Sequence, residues 1–148
     1  MVTNDQQLLE QQYDQTVRAD IEQFRERSQA WVNKEITDDQ FRAQRLRRGV
    51  YGQRQEGVHM IRTKIPGGLL TSDQMRKMGD VADAVAGGKG HLTTRQNIQY
   101  HFVPLVQVPD ALHMLADVRL TTREACYNTV RNVTACPLAG LLADEPFN

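Results

Sequence analysis

The residues best equipped for chemistry in this sequence are arginines, and they are unevenly placed. Between Gln40 and Lys64 stand Arg42, Arg45, Arg47, Arg48, Arg54, Arg62 and Lys64 against the single acid Glu56. That is seven less one, a local charge of +6, in a chain whose 18 basic and 18 acidic residues cancel. Arg62 and Lys64 alternate with Ile61, Thr63 and Ile65, so a strand here turns the two cations to one face and the uncharged residues to the other. Gln99 and His101 stand in the same relation to Ile98, Tyr100 and Phe102, with Arg95 at the turn before them. A sheet face of guanidinium, ammonium and amide donors suits an anion or a polycarboxylate. Arginine grips a carboxylate through two parallel N–H bonds, and hydrogen bonds to charged groups contribute about 1.5–3 kcal/mol each. Pattern alone leaves a second reading open, the solvent-facing side of an antiparallel sheet. The helical arginines are equally consistent with a solvated helix end.

Other chemistries find less support. His59, His91, His101 and His113 lack metal-ligand spacing, and no metal is expected on these residues. Cys126 and Cys136 have nine residues between them, which matches no common zinc or iron–sulfur pattern, and two cysteines make no disulfide framework. Each reads as a small buried residue or a free thiol. Gly87-Gly88-Lys89-Gly90 lacks the phosphate-loop pattern and reads as a helix stop.

These residues must be positioned by the elements around them. Leu9, Tyr13, Val17, Ile21, Phe24 and Trp31, with Ser28 in the gap, trace one stripe of a long amphipathic helix. Thr37-x-x-Gln40 is a capping box for a second helix that Gly49 can close. Val58 to Ile65 predicts a strand, ended by Pro66-Gly67-Gly68. Thr71-x-x-Gln74 caps a helix over 72–86 with Met75, Met78, Ala82 and Val85 inward. Strands over 90–94 and 98–104 follow. Pro109 then opens a helix with Leu112 and Leu115 inward, and Thr121-x-x-Glu124 predicts a short final one. The stretch from 132 to 148 looks irregular. From residue 58 the order β-α-β-β-α predicts an α+β fold, a ferredoxin-like split βαβ half-domain with helices on one face. The expected division is a helical N-terminal extension over 1–50 and the half-domain over 51–148.

At 148 residues and 40% hydrophobic content the chain suits about one domain. Zero net charge argues against whole-protein attraction to nucleic acid or to an acidic membrane. No apolar run reaches the roughly 20 residues of a membrane span, and the polar start, Met1 to Glu10, is no signal peptide. The expected compartment is the cytoplasm.

Three segments narrow the function. They are Ile61-Arg62-Thr63-Lys64-Ile65-Pro66-Gly67-Gly68, Leu92-Thr93-Thr94-Arg95-Gln96-Asn97-Ile98-Gln99, and Asn128-Thr129-Val130-Arg131-Asn132-Val133 with Pro137-Leu138-Ala139-Gly140 after it. In this order they resemble the N-terminal half of the nitrite and sulfite reductase haemoproteins, over about Tyr51 to Gly140, and the helical arm is similar to that family's N-terminal extension. The resemblance implies a six-electron oxidoreductase that reduces sulfite to sulfide or nitrite to ammonia at sirohaem, a polycarboxylate iron tetrahydroporphyrin bridged to a [4Fe-4S] cluster. It implies that Arg62 and Arg131 reach the substrate anion, and that Thr93, Thr94, Arg95, Asn97 and Gln99 lie in the segment holding the sirohaem carboxylates, with Lys64 and the two substrate arginines as further contacts. It implies an electron donor, either ferredoxin or a flavoprotein, and a C-terminal half related to this one by a pseudo-twofold axis. The family's cluster cysteines lie downstream of the P-L-A-G segment, so the ligands are expected beyond the end of this chain. By this reading the chain is the N-terminal part of such a reductase, inactive alone. The alternatives are a complete, non-catalytic sirohaem-binding or regulatory module, and a ferredoxin-like scaffold without a tetrapyrrole.

Overall fold

In the computed structural model, which describes residues 4–141, helix α1 runs Asn4–Val32 and helix α2 runs Asp38–Arg47. Four antiparallel strands follow in the sheet order β1 (Val50–Gly52), β2 (Val58–Arg62), β4 (Ile98–Pro104), β3 (His91–Leu92). Helix α3 (Ser72–Val85) joins β2 to β3, and α4 (Val108–Ala116) follows β4. The fold is α+β, as expected. The expected irregular tail beyond residue 141 lies outside the described residues.

Local sequence accounts for most element ends. Both capping boxes form: the Thr37 and Thr71 hydroxyls accept from Gln40 N and Gln74 N, and each glutamine side chain accepts from its threonine's backbone N–H. Gly49 lies at φ +73°, where its N–H donates to Leu46 O. A Cβ at Gly49 would collide with the carbonyl oxygens of Thr122 and Arg62, so only glycine allows the chain to turn from α2 into β1.

The core lies between the helices and one sheet face. Ile21 and Phe24 of α1, Phe41 of α2, Met78, Val81, Ala82 and Val85 of α3, and Leu112 and Leu115 of α4 close over Val50, Ile61, Ile65, Ile98 and Tyr100. Helix α1 lies antiparallel to α4. The pairs Glu10–Arg119, Arg18–Asp117, Glu22–His113 and Arg25–Asp110 run in opposite sequence directions along the two elements. Twenty-nine residues span about 43 Å, far more than the nine-residue α4, so Leu9 and Tyr13 overshoot the core and stay exposed.

Four expectations need correction. Phe102 does not share the core face of Ile98 and Tyr100. His59 pairs with Val103 and Ile61 with Tyr100, so His101 and Phe102 together oppose Met60. This β-bulge places Phe102 at φ +61° and 57% exposed, and Val103 takes the core position. Met75 is 51% exposed because Val81, not Met75, completes the α3 stripe. Thr121-x-x-Glu124 caps no helix. Its hydroxyl accepts from Arg123 N in a turn, Glu124 and Tyr127 take left-handed φ of 59° and 78°, and Thr121 bridges to Lys64. Strand β1 was not foreseen; at three residues it is too short to show a period.

His59 is buried on the core face with the Trp31 ring edge-on at 6.4 Å, and its Nδ1 has no hydrogen-bond partner. Burial first, and the Arg45 charge second, push its pKa down to about 4. An unfolded chain protonates this imidazole near 6.5, so unfolding takes up a proton between those values. Stability should therefore be level above pH 6.5 and fall as the pH drops from 6.5 towards 4, and His59→Phe should flatten most of that slope. Chemical denaturation at pH 7, 6, 5 and 4.5 measures it; equal midpoints for the unsubstituted chain at pH 7 and 5 would contradict the assignment.

Candidate anion-binding site

The sheet face away from the helices carries the expected polar set. Arg62 and Gln99 are register partners on β2 and β4. With the Gln99 amide oxygen turned towards Arg62, it accepts from Nη2 at 2.7 Å and Nε at 2.9 Å, and its nitrogen donates to His101 Nε2 at 3.2 Å. The Arg62 guanidinium also lies over the Tyr51 ring at 5.5 Å. Burial, then the nearby His91 and Arg62, hold the His101 pKa below its ordinary value, so the imidazole is neutral at neutral pH. Gln53 fixes the bulge beside it: Phe102 N donates to Gln53 Oε1 at 2.6 Å, and Gln53 Nε2 sits 3.4 Å from His101 Nδ1. Lys64 is drawn aside, its ammonium donating to Val130 O at 3.1 Å with Glu124 at 3.8 Å.

The 93–97 turn divides its residues between shape and presentation. Thr93 Oγ1 donates to Asn97 Oδ1 at 2.5 Å and accepts from Arg95 N at 3.2 Å. Asn97 is buried, so its side chain shapes the turn rather than facing out. Thr94 and Arg95 are exposed at the tip.

Two residues that the sequence did not single out tie this turn to the rest. Asn132, only 4% exposed, accepts from Ile65 N at 2.7 Å and donates to Arg95 O at 2.7 Å. Gln96, at φ +56°, donates to Ala135 O at 2.7 Å and accepts from Ala135 N at 2.9 Å. Gly67 N donates to Val133 O at 2.8 Å, and Gly68 leaves room for Gln96, whose Cβ would lie 3.1 Å from a Cβ at position 68. All three motif segments therefore meet in one knot. No periodicity could have found Asn132 or Gln96, because each partner is distant in sequence.

Arg131 lines an open cleft of about 640 Å³ with Arg42, Tyr51 and Tyr127. Cys126, next to Tyr127 in the chain, is buried. Burial pushes the thiol pKa up to about 11 although Arg62, Arg131 and Arg45 are close enough to pull it down, so it stays protonated. Cys136 is exposed and free. The charges are sorted by side. Arg18, Arg25 and Arg119, along the contact of α1 with α4 and the turn after it, all meet carboxylates, whereas Arg42, Arg62, Arg95 and Arg131 have no carboxylate within 4 Å among the described residues.

That donor set fits a polycarboxylate such as sirohaem. It does not fit an iron–sulfur cluster: among the described residues no group of three or more His, Cys, Asp or Glu could hold a metal ion. Among the described residues no helix is long and apolar enough to cross a membrane. Asn132→Ala strips partners from the buried Ile65 N–H and from Arg95 O, which should cost about 1–3 kcal/mol. It should also open the 128–141 segment to limited proteolysis; an unchanged midpoint with unchanged cleavage would remove Asn132 from the knot.

Comparison with known proteins agrees with this geometry. Residues 51–118 match the nitrite/sulfite reductase ferredoxin-like half domain. Ferredoxin–nitrite reductase of Leptolyngbya laminosa is 34% identical over 132 residues, which is 87% of this chain and 25% of that protein. The ferredoxin sulfite reductase of Mycobacterium tuberculosis is 32% identical over 114 residues, 66% of this chain and 20% of that protein. The structure of Mycobacterium tuberculosis NirA protein superposes with a TM-score of 0.68 at 31% identity, covering 74% of this chain and 23% of that one. The chain thus spans about a quarter of the length of the curated relatives it matches. Residues 51–118 are thus a nitrite/sulfite reductase ferredoxin-like half domain.

Proposed function

We propose that this chain is the N-terminal, anion-gripping part of a nitrite or sulfite reductase. The observation that carries the reading is the knot: three segments far apart in sequence bring Arg62, Arg95 and Arg131 around one core of hydrogen bonds, with no carboxylate within 4 Å of their guanidiniums among the described residues. Arg95 and Thr94, exposed at the turn tip, are placed to hold carboxylates of the tetrapyrrole. Arg62 and Arg131, whose charges both act to lower the pKa of the buried Cys126 thiol, are the residues assigned to the small anion. Guanidinium stays protonated at any working pH, so these residues neutralise charge and donate hydrogen bonds without giving up a proton. Gln99 fixes the Arg62 plane, and neutral His101 stands next to Gln99. Bound sirohaem would supply the redox-active iron. The cluster ligands, the electron donor (ferredoxin or a flavoprotein) and the pseudo-symmetric second half would come from outside the described residues.

The test is to isolate the native protein from its own cells, measure its mass, and assay it with a reduced viologen. A polypeptide several times longer than 148 residues, with sirohaem absorption and formation of ammonia from nitrite or sulfide from sulfite, is expected. Arg131→Ala in that protein should retain the absorption but lower kcat/KM about 100-fold, the scale of losing one charge-stabilising donor. A 148-residue native product that binds sirohaem and turns over neither anion would instead establish the non-catalytic module.

A further inference from the structure

We propose that the cleft between α2 and the 127–131 segment is a capture site for a small oxyanion, in which Arg42 of the helical arm works with Arg131. The inference rests on the function proposed above and extends it to a residue from outside the half-domain. Three observations carry it. Arg42 and Arg131 line the same open cleft of about 640 Å³, together with Tyr51 of β1. The Arg62 guanidinium lies over the Tyr51 ring, 5.5 Å from its centroid, so a residue of the cleft wall touches the polar sheet face. Half-buried Arg45, on α2, donates to Val50 O at 3.2 Å, next to Tyr51 in the chain. Two guanidiniums therefore line a cleft whose described lining holds a single carboxylate, Asp39, with Arg62 and Arg45 next to its Tyr51 wall.

That imbalance does not follow from loose surface packing, because α2 is held rigidly. Phe41 stacks on Phe24 at 5.9 Å and on Trp31 at 5.1 Å, and buried Arg48 reaches Asp20 at 2.6 and 3.1 Å. With Phe41 anchored in the core, its neighbour Arg42 is left on the exposed side of the helix, at the cleft. The Arg42 charge also depresses the pKa of Arg45, after burial, so the two repel each other across the helix surface. A bound anion relieves that repulsion. The cleft is wide for a bare nitrite or sulfite and has room for either with its hydration shell, which suits first contact at Arg42 ahead of the shared Arg131 and Arg62. Like-signed charge lining a cleft also raises the local concentration of the counter-ion, an effect that salt weakens.

The test uses the 148-residue chain labelled with nitrogen-15, titrated with sodium nitrite and separately with sodium sulfite at low ionic strength, against sodium chloride at matched ionic strength. The arginine Nε–Hε signals report binding. Saturable binding of the oxyanions, weak or absent for chloride, is expected. Arg42→Gln should weaken it about tenfold, the scale of one charge-assisted hydrogen bond. Arg42→Lys should weaken it less, and Arg76→Gln, on α3 and paired with Asp73, should leave it unchanged. Unchanged backbone spectra show that each variant is folded. If Arg131→Gln weakens binding and Arg42→Gln does not, the capture site is overturned while the proposed function stands. If neither substitution matters, or chloride binds equally well, both fail.

Discussion

Two amide side chains hold this molecule's working side together. Asn132 and Gln96 each satisfy backbone groups that another segment would otherwise leave bare. At Ile65 N the constraint is strict, because an unpaired buried backbone group costs more than its bond returns; the Gln96 bonds to Ala135 are exposed. The end of β2, the 93–97 turn and the 131–135 stretch cannot move independently while these bonds persist. Arg131 neighbours one end of the knot in sequence and Arg95 the other, and Arg62 stands at the end of β2. Amide geometry therefore ties together the backbone segments from which the three arginines extend.

Charge is the second organising fact. Arginines on the α1–α4 side are matched by carboxylates along the antiparallel helix pair, where each exposed ion pair contributes little and mainly sets alignment. On the sheet side Arg62, Arg95 and Arg131 lack such a match among the described residues. Net charge hides this because acidic residues elsewhere in the chain cancel them. The cleft adds Arg42 to the same unbalanced set, which gives the helical arm a role in ligand approach beyond covering the core.

Much of the fold was legible because it follows from local rules. Both capping boxes, the alternation in β2, and the Pro and Gly punctuation predict elements close to where they occur. The polar sheet face was legible for the same reason: Arg62, Gln99 and His101 obey a period of two. The bulge was not. Phe102 followed by Val103 satisfies an unbroken alternation equally well, and the choice is made by Gln53, half a domain away, reaching Phe102 N. Thr121 failed for a similar reason, since its backbone is committed to pairing with Lys64. Among the site residues, Asn97 and Thr93 are spent on shaping their turn, Lys64 is taken up by Val130 and Glu124, and the residues that fix the whole arrangement, Asn132 and Gln96, carry no periodic signal.

The central claim is that unneutralised guanidiniums on one side of this chain are arranged for a polycarboxylate tetrapyrrole. The most direct measurement is equilibrium binding of sirohaem to the 148-residue chain, followed by its absorption, beside the same tetrapyrrole with its carboxylates esterified. The account predicts saturable one-to-one binding of the free acid that weakens as salt rises, with the ester bound far less tightly. Equal affinity for acid and ester, or no dependence on salt, would contradict it.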